Sequence, residues 1–211
     1  MQILYLDEID STQKYLKEKL QNKELQAPIA VCAKAQNSGI GSRNNSWESA
    51  KGNLFLSFAL ALKQLPSDLQ LESSSIYFSY LLKETLQVSG SKVWIKWPND
   101  FYLDDKKIGG MITNIIGDTI VCGVGLNISD APKEFAKLDI SIDTKVLLEN
   151  YFKNIEKKVL WKQVFSKYKL EFYRNQSFFT HSNGVKVSLG DATLNDDGSL
   201  NINGERIYSL R

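Results

Sequence analysis

Histidine and cysteine are scarce in this chain of 211 residues, which contains one histidine, His181, and two cysteines, Cys32 and Cys122. The cysteines lie in separate apolar runs without a Cys-x-x-Cys pair, a pattern typical of buried thiols. His181 lies in a Ser/Asn/Gly-rich stretch, which indicates a surface position. A single histidine argues against both a Cys/His zinc site and a Ser-His-Asp triad. Any chemistry must therefore rest on lysine, arginine, aspartate and backbone groups, aided by magnesium.

An excess of charge is also missing, since 26 lysines and arginines balance 24 acidic residues. This balance gives no sign of a nucleic-acid footprint. The longest uncharged apolar stretches, such as residues 53–62, fall well short of the roughly 20 residues that cross a bilayer. Asp7, Glu8 and Asp10 stand where a signal peptide would be positive and then apolar. We therefore expect a cytoplasmic protein with neither a membrane nor a nucleic-acid partner.

The hydrophobic pattern predicts an α+β fold. Alternating or apolar segments that predict strands are residues 3–6, 29–35, 53–60, 93–97, 101–103, 107–116 and 119–128. Helices are predicted after the Asp10-Ser11-Thr12 cluster, after Ser73, and over residues 145–174. Because short turns join neighbouring strands in the middle of the chain, we expect a mixed, largely antiparallel sheet with flanking helices.

The residue pattern changes after Gln176 from helical periodicity to short β-prone segments. Short β-prone pieces at residues 185–189, 200–202 and 207–209 alternate with the turn pairs Gly-Asp, Asp-Gly and Asn-Gly. We therefore predict two domains, an α+β domain at residues 1–176 and a small β-rich module at residues 177–211.

The polar loop of residues 36–47 contains Gly39, Gly41, Arg43 and Trp47. Backbone N–H groups of such a loop can hold phosphate oxygens, arginine adds charge-assisted donors, and an indole can stack on a purine. A Gly-x-Gly pair alone is a weak signal. A surface loop in which Trp47 only anchors the next strand is an equally open interpretation.

Three further motifs carry charge or glycine beside or within predicted strands. Lys-Trp-Pro-Asn-Asp at residues 96–100 precedes Lys-Lys-Ile-Gly-Gly at 106–110. Taken singly, these pieces predict only a stiff corner and a polar hairpin tip. Gly-Val-Gly-Leu-Asn-Ile at residues 123–128 places alternate glycines in an apolar strand, which indicates close approach of a backbone or a ligand.

In combination, these motifs resemble the catalytic domain of biotin protein ligases. The resemblance covers residues 3–130, and the Lys-Trp-Pro-Asn-Asp motif at its distance from the others is its most specific part. It implies a class II synthetase-like catalytic domain with a small C-terminal β-barrel, and the final Ile-Tyr-Ser-Leu-Arg is similar to that barrel's last strand. It also implies a short form without an N-terminal DNA-binding domain, because the Asp-Ser-Thr motif begins at residue 10.

The implied activity is ATP-dependent formation of biotinyl-5'-AMP and transfer of biotin to a lysine of a biotin carboxyl carrier protein. That carrier would belong to acetyl-CoA carboxylase or a related carboxylase. The substrates would be biotin and ATP, with Mg²⁺ whose ligands the sequence does not identify, and the enzyme would be a monomer or a homodimer. The nearest alternative is a lipoate protein ligase. Its loop typically ends in a histidine, and this chain has none before residue 181.

The resemblance also implies roles for individual residues. Biotin would contact Ser11, Thr12, Gln13, Gln36, Gly39, Gly41, Lys107, Gly110 and Gly123. ATP and the adenylate would contact Ile40, Gly41, Ser42, Arg43, Trp47, Asn99 and Asn127. Lys107, Arg43 and Asp100 would be catalytic. The family's loop usually reads Gly-Arg-Gly-Arg, whereas Ile40 and Ser42 stand at the two arginine positions here and Arg43 is displaced by one.

Overall fold

The computed structural model describes residues 1–41, 46–47, 51–182 and 184–208. The described strands are β1 (Gln2–Ile9), β2 (Ile29–Gln36), β3 (Gly39–Ile40), β4 (Ser46–Trp47), β5 (Leu54–Ala61), β6 (Trp94–Lys96), β7 (Asp100–Leu103), β8 (Lys106–Ile116), β9 (Thr119–Leu126), β10 (Phe179–Ser182), β11 (Val185–Ser188), β12 (Thr193–Leu194), β13 (Leu200–Ile202) and β14 (Glu205–Ile207). The described helices are α1 (Thr12–Gln21), α2 (Ser74–Val88), α3 (Thr144–Glu156) and α4 (Trp161–Glu171). Short 3-10 turns lie at Leu62–Gln64, Leu71–Ser73 and Phe172–Asn175.

The central sheet has the strand order β1-β2-β5-β9-β8-β7-β6. Strands β1 and β2 are parallel, and each of the other neighbouring pairs is antiparallel. The β7–β8 hairpin turns through Asp104, whose φ of 49° is left-handed, as suits an aspartate in a tight turn. The prediction of a mixed, largely antiparallel sheet is confirmed.

Helices cover both faces of this sheet. On one face, α2, α3 and α4 pack on the main apolar cluster, which includes Leu56, Phe58 and Tyr151. On the other face, α1 buries Leu16 completely against strand residues such as Val31 and Val121. Full burial of a leucine side chain contributes about 1.5–3 kcal/mol, so Leu16 anchors the helix that begins at the Asp-Ser-Thr motif.

The helical pattern predicted over residues 145–174 divides into α3 and α4. Lys158 lies between them with a left-handed φ of 48°, which an α-helix cannot accommodate. Asp143 caps α3 by accepting hydrogen bonds from the backbone N–H groups of Lys145 and Val146. Among the described residues, no helix is long and apolar enough to span a bilayer.

The C-terminal strands form two small sheets, β10-β11 and β12-β13-β14. The predicted small C-terminal β-sheets are present, and among the described residues these two sheets do not pair with each other. Their strands are two to four residues long. Residues 209–211 of the predicted last strand lie outside the described residues. Leu189 and Leu200 lie in the main apolar cluster with the central sheet. The boundary at residue 176 stays a prediction.

Candidate functional site

A cavity opens on the α1 face of the central sheet, beside the N-terminus of α1. Its volume is about 510 Å³ including the open mouth. The predicted site residues that line it are Ser11, Thr12, Gln13, Gln36, Ile40, Gly41, Trp47, Asn99, Asp100, Lys107, Gly110 and Gly123. The structure therefore brings together motifs that are distant in the sequence.

Two rows of residues that pair across the sheet form the floor. In the first, which we call the head row, Ser57 of β5, Gly123 of β9 and Ile112 of β8 are in register. In the second, the tail row, Gly125 of β9, Gly110 of β8 and Asp100 of β7 are in register. The rows are two residues apart along β8 and β9, so about 7 Å separates them.

A chain of hydrogen bonds forms the wall at the head row. The Ser57 hydroxyl donates to Thr12 Oγ1 at 2.9 Å, and that hydroxyl donates to Gln36 Oε1 at 3.1 Å. The backbone N–H of Thr12 donates to the same Gln36 oxygen at 2.7 Å. Because Gln36 Oε1 is already engaged by Thr12, the amide nitrogen of Gln36 faces away from Thr12. That nitrogen lies 2.9 Å from where a Cβ at Gly39 would be, so only glycine fits there.

An ion pair lies at the tail row. Lys107 Nζ lies 2.6 Å from Asp100 Oδ1, and Lys96 Nζ lies 3.8 Å from the other carboxylate oxygen of Asp100. The side chains of Lys107 and Asp100 are 26% and 22% exposed, so the pair is accessible from the cavity. Lys107 can pair with an anionic group of a ligand if its ammonium group leaves Asp100 and moves to that group.

The corner that carries Asp100 is fixed by its neighbour Asn99. The side-chain amide of Asn99 donates to the Met111 carbonyl, and the Met111 N–H donates to the Asn99 carbonyl at 3.0 Å. Asn99 is 2% exposed. Although Asn99 lines the cavity, this arrangement shows it positioning the β6–β7 corner. Its predicted contact with ATP stays a prediction.

Glycines of β9 allow two side chains to lie directly on the sheet. A Cβ at Gly125 would lie 2.6 Å from Trp47 Cε2, so the indole packs on the bare strand. A Cβ at Gly123 would lie 2.6 Å from Gln13 Oε1. The alternate glycines thus serve the close approach that the sequence pattern indicates.

Two predicted residues do not line the cavity. Asn127 is buried, donates to the Ala136 carbonyl at 3.2 Å and accepts from Asn53 Nδ2 at 3.4 Å. Its side chain thus holds the segment that follows β9, and its predicted contact with adenosine stays a prediction. Gly39 is buried in the β3–β4 ladder opposite Trp47. Ser42 and Arg43 lie outside the described residues.

Ser57 and Ile112 line the cavity but escape motif-based reasoning. Ser57 is nevertheless recognisable from the sequence, because it is the one hydroxyl residue in the otherwise apolar strand Leu-Phe-Leu-Ser-Phe-Ala-Leu-Ala. A buried hydroxyl needs a hydrogen-bond partner, so its presence in such a strand indicates a polar site.

Residues 5–127 match the family model described as the biotin/lipoate A/B protein ligase family. The chain is 36% identical over 134 residues to the bifunctional ligase/repressor BirA of Escherichia coli, a match that covers 60% of this chain and 40% of that relative. It thus spans about two fifths of the length of that relative.

Two solved structures are similar to the whole chain. The biotin acetyl coenzyme A carboxylase synthetase of Helicobacter pylori, with bound biotinylated ATP, has a TM-score of 0.94 and 45% identity, and the match covers 98% of this chain and 99% of that one. The biotin protein ligase of Aquifex aeolicus, in complex with biotin and ATP, has a TM-score of 0.80 at 23% identity, covers 100% of this chain and 96% of that one, and supports the fold alone. The cavity, its two rows of residues and the match over more than half of the sequence agree: the chain belongs to the biotin/lipoate A/B protein ligase family.

Proposed function

We propose that this protein is a biotin protein ligase, which forms biotinyl-5'-AMP from biotin and ATP and then transfers biotin to a lysine of a carrier protein. The observation that carries the proposal is the pairing of a polar head row with a lysine–aspartate pair about 7 Å away on a glycine floor. Biotin has a hydrogen-bonding ring at one end and a carboxylate at the other. The similarity to a structure that holds biotinylated ATP supports the same assignment.

In the first half-reaction, a carboxylate oxygen of biotin attacks the α-phosphorus of ATP, and pyrophosphate leaves. A carboxylate is already ionised near pH 7, so this step needs no general base. It needs alignment and neutralisation of charge. Lys107 supplies a cation at the tail row, where it meets the carboxylate and then the adenylate phosphate.

In the second half-reaction, the amine of the acceptor lysine attacks the mixed anhydride, an amide forms, and AMP leaves. A lysine with an ordinary pKa of about 10.4 must first lose a proton. The carbonyl carbon of the bound adenylate would lie at the tail row, which also contains Asp100. The Asp100 carboxylate can therefore orient the incoming amine and accept its proton. Asp100 is therefore the proposed base for transfer.

Magnesium would enter with ATP. Asp100 is the one carboxylate among the described lining residues, and it is engaged with Lys107. The described residues include no group of three or more His, Cys, Asp or Glu side chains that could hold a metal ion. Mg²⁺ commonly keeps several waters and binds substrate phosphates with one or two protein carboxylates, and this site fits that mode.

The acceptor we propose is the biotin carboxyl carrier protein of acetyl-CoA carboxylase or a related carboxylase. Relatives described as biotin–[acetyl-CoA-carboxylase] ligases, including one from Mycobacterium tuberculosis, support this class of partner. A cytoplasmic location, a monomer or homodimer, and the absence of a nucleic-acid partner remain expectations from the sequence.

The test is incubation of the purified protein with ATP and biotin, with AMP and pyrophosphate as the measured products. Biotin-dependent release of pyrophosphate followed by labelling of a carrier domain is expected. Lipoate in a parallel reaction separates the two activities of the family. Turnover with lipoate and none with biotin would overturn the proposal in favour of a lipoate protein ligase.

A further inference from the structure

Gln13 carries a buried acceptor that has no donor. Its side chain donates through Nε2 to Asn114 Oδ1 at 3.1 Å and to the Val121 carbonyl at 3.4 Å. Gln13 is only 5% exposed, and among the described residues no donor reaches its Oε1. An unmet acceptor of this kind destabilises a folded protein unless a ligand or an ordered water supplies the donor.

The orientation of the Gln13 amide is determined by its neighbours. A backbone carbonyl can only accept a hydrogen bond, so the amide nitrogen must face Val121. Asn114 is in register with Val121 across β8 and β9, so both bonds hold the same nitrogen. Oε1 consequently points towards Gly123, where a Cβ would lie 2.6 Å from it. Gln13 and Gly123 both line the cavity, so the unpaired acceptor lies at the floor of the ligand site.

The unpaired oxygen of Gln13 limits which ligand groups can occupy this part of the cavity. Only an N–H or O–H group can satisfy Oε1, whereas a methylene, a thioether or a disulfide cannot. We propose that Gln13 Oε1 accepts a hydrogen bond from one ring-urea N–H of biotin, and that Asn114 is a positioning residue that keeps the Gln13 amide in this orientation. This inference rests on the proposed function and deepens it, because it assigns the choice of ring to these two residues.

The same pair predicts rejection of lipoate. The dithiolane ring has no N–H, so a bound lipoyl group would leave Gln13 Oε1 buried and unpaired. Sites built to hydrogen-bond a substrate discriminate strongly against analogues that lack the bonding group. The pair thereby separates the two substrate classes of the family.

The experiment uses calorimetry on the full chain to measure the dissociation constants of biotin and of two analogues. In each analogue, one ring-urea N–H is replaced by oxygen. The wild type is compared with Gln13→Met, Asn114→Leu and Asn114→Asp. Thr113→Val is the matched control, because Thr113 is adjacent on β8 but on the opposite face. The preference for biotin over each analogue is the readout, since it is a ratio that general loss of stability does not change.

The wild type should prefer biotin to one analogue by about tenfold or more. That preference should disappear in Gln13→Met and fall in Asn114→Leu. It should persist in Asn114→Asp, whose carboxylate still accepts from Gln13 Nε2, and in Thr113→Val. Thermal unfolding identifies any variant that fails to fold, and the Asn114 pair then still decides the outcome.

An unchanged preference in Gln13→Met would overturn the assignment of the acceptor, and equal behaviour of Asn114→Leu and Asn114→Asp would overturn the positioning role. In both cases the wild type would still form biotinyl-5'-AMP, so the proposed function would stand. A wild type that neither binds biotin nor adenylates it would instead contradict the proposed function itself.

Discussion

Replacement of Lys107 by alanine tests the tail row most directly. Among the described lining residues, Lys107 is the one positively charged side chain. A charge-assisted contact to a reacting group in a closed site contributes about 2–4 kcal/mol to the transition state. Adenylate formation by Lys107→Ala should therefore fall by about 30- to 1000-fold in kcat/KM for biotin.

Stability should change far less than activity. The Lys107–Asp100 pair is partly exposed, and such pairs contribute about 1 kcal/mol or less after solvent screening. Lys96 remains 3.8 Å from Asp100 when Lys107 is removed, so the carboxylate keeps a cation nearby. A loss of about 1 kcal/mol lowers the Tm of a domain of this size by about 2–4 °C.

The assay is biotin-dependent pyrophosphate release, combined with thermal unfolding of each variant. Lys106→Ala is the matched control, because Lys106 is the preceding residue of β8 and is exposed. The control should keep normal activity. Near-normal adenylation by Lys107→Ala, at a Tm close to that of the wild type, would refute the assignment of Lys107.

Three further outcomes are expected. Asp100→Asn should impair transfer to the carrier more than adenylation, and single-turnover assays of each half-reaction measure this; equal losses would indicate a structural role at the β6–β7 corner. Gly123→Ala should raise the Kd for biotin by at least about tenfold, because the new Cβ displaces Gln13 Oε1; calorimetry that finds the wild-type affinity would contradict this. Burial raises the pKa of Cys32 to about 11 and that of the Cys122 thiol well above its usual value, so a thiol reagent at pH 8 should label neither until the protein is denatured.

Local sequence signals predict most of the secondary structure. The strands of the central sheet are visible because each combines β-branched or apolar residues with a nearby turn signal, as in the β7–β8 hairpin. Both cysteines are buried and His181 is exposed, as their surroundings in the sequence indicate. The small sheets at the C-terminus are harder to predict. The pairing of strands two to four residues long depends on tertiary contacts that no local pattern encodes.

The sequence identifies individual residues of the site, but it does not predict how the strands bring them into contact. Motifs identify Thr12, Gln36, Asp100 and Lys107, because each belongs to a recognisable run of residues. The role of Ser57 depends on the register of β5 against β9, which fixes it beside Gly123. Strand register is a property of the whole sheet, so a contact of this kind cannot be derived from one segment alone.

The arrangement of charge at the tail row bears on the loop in which Ile40 replaces an arginine of the family pattern. Ile40 is 44% exposed and lines the cavity without contributing a charge. Two described strands carry cations at this row, because Lys107 of β8 lies 2.6 Å from one Asp100 oxygen and Lys96 of β6 lies 3.8 Å from the other. When Lys107 turns to a ligand carboxylate, Lys96 still neutralises Asp100, so neither carboxylate is left without a counter-charge. Two lysines and one aspartate carry a net charge of about +1, which one carboxylate balances. Among the described residues, the cations of the tail row therefore come from β6 and β8.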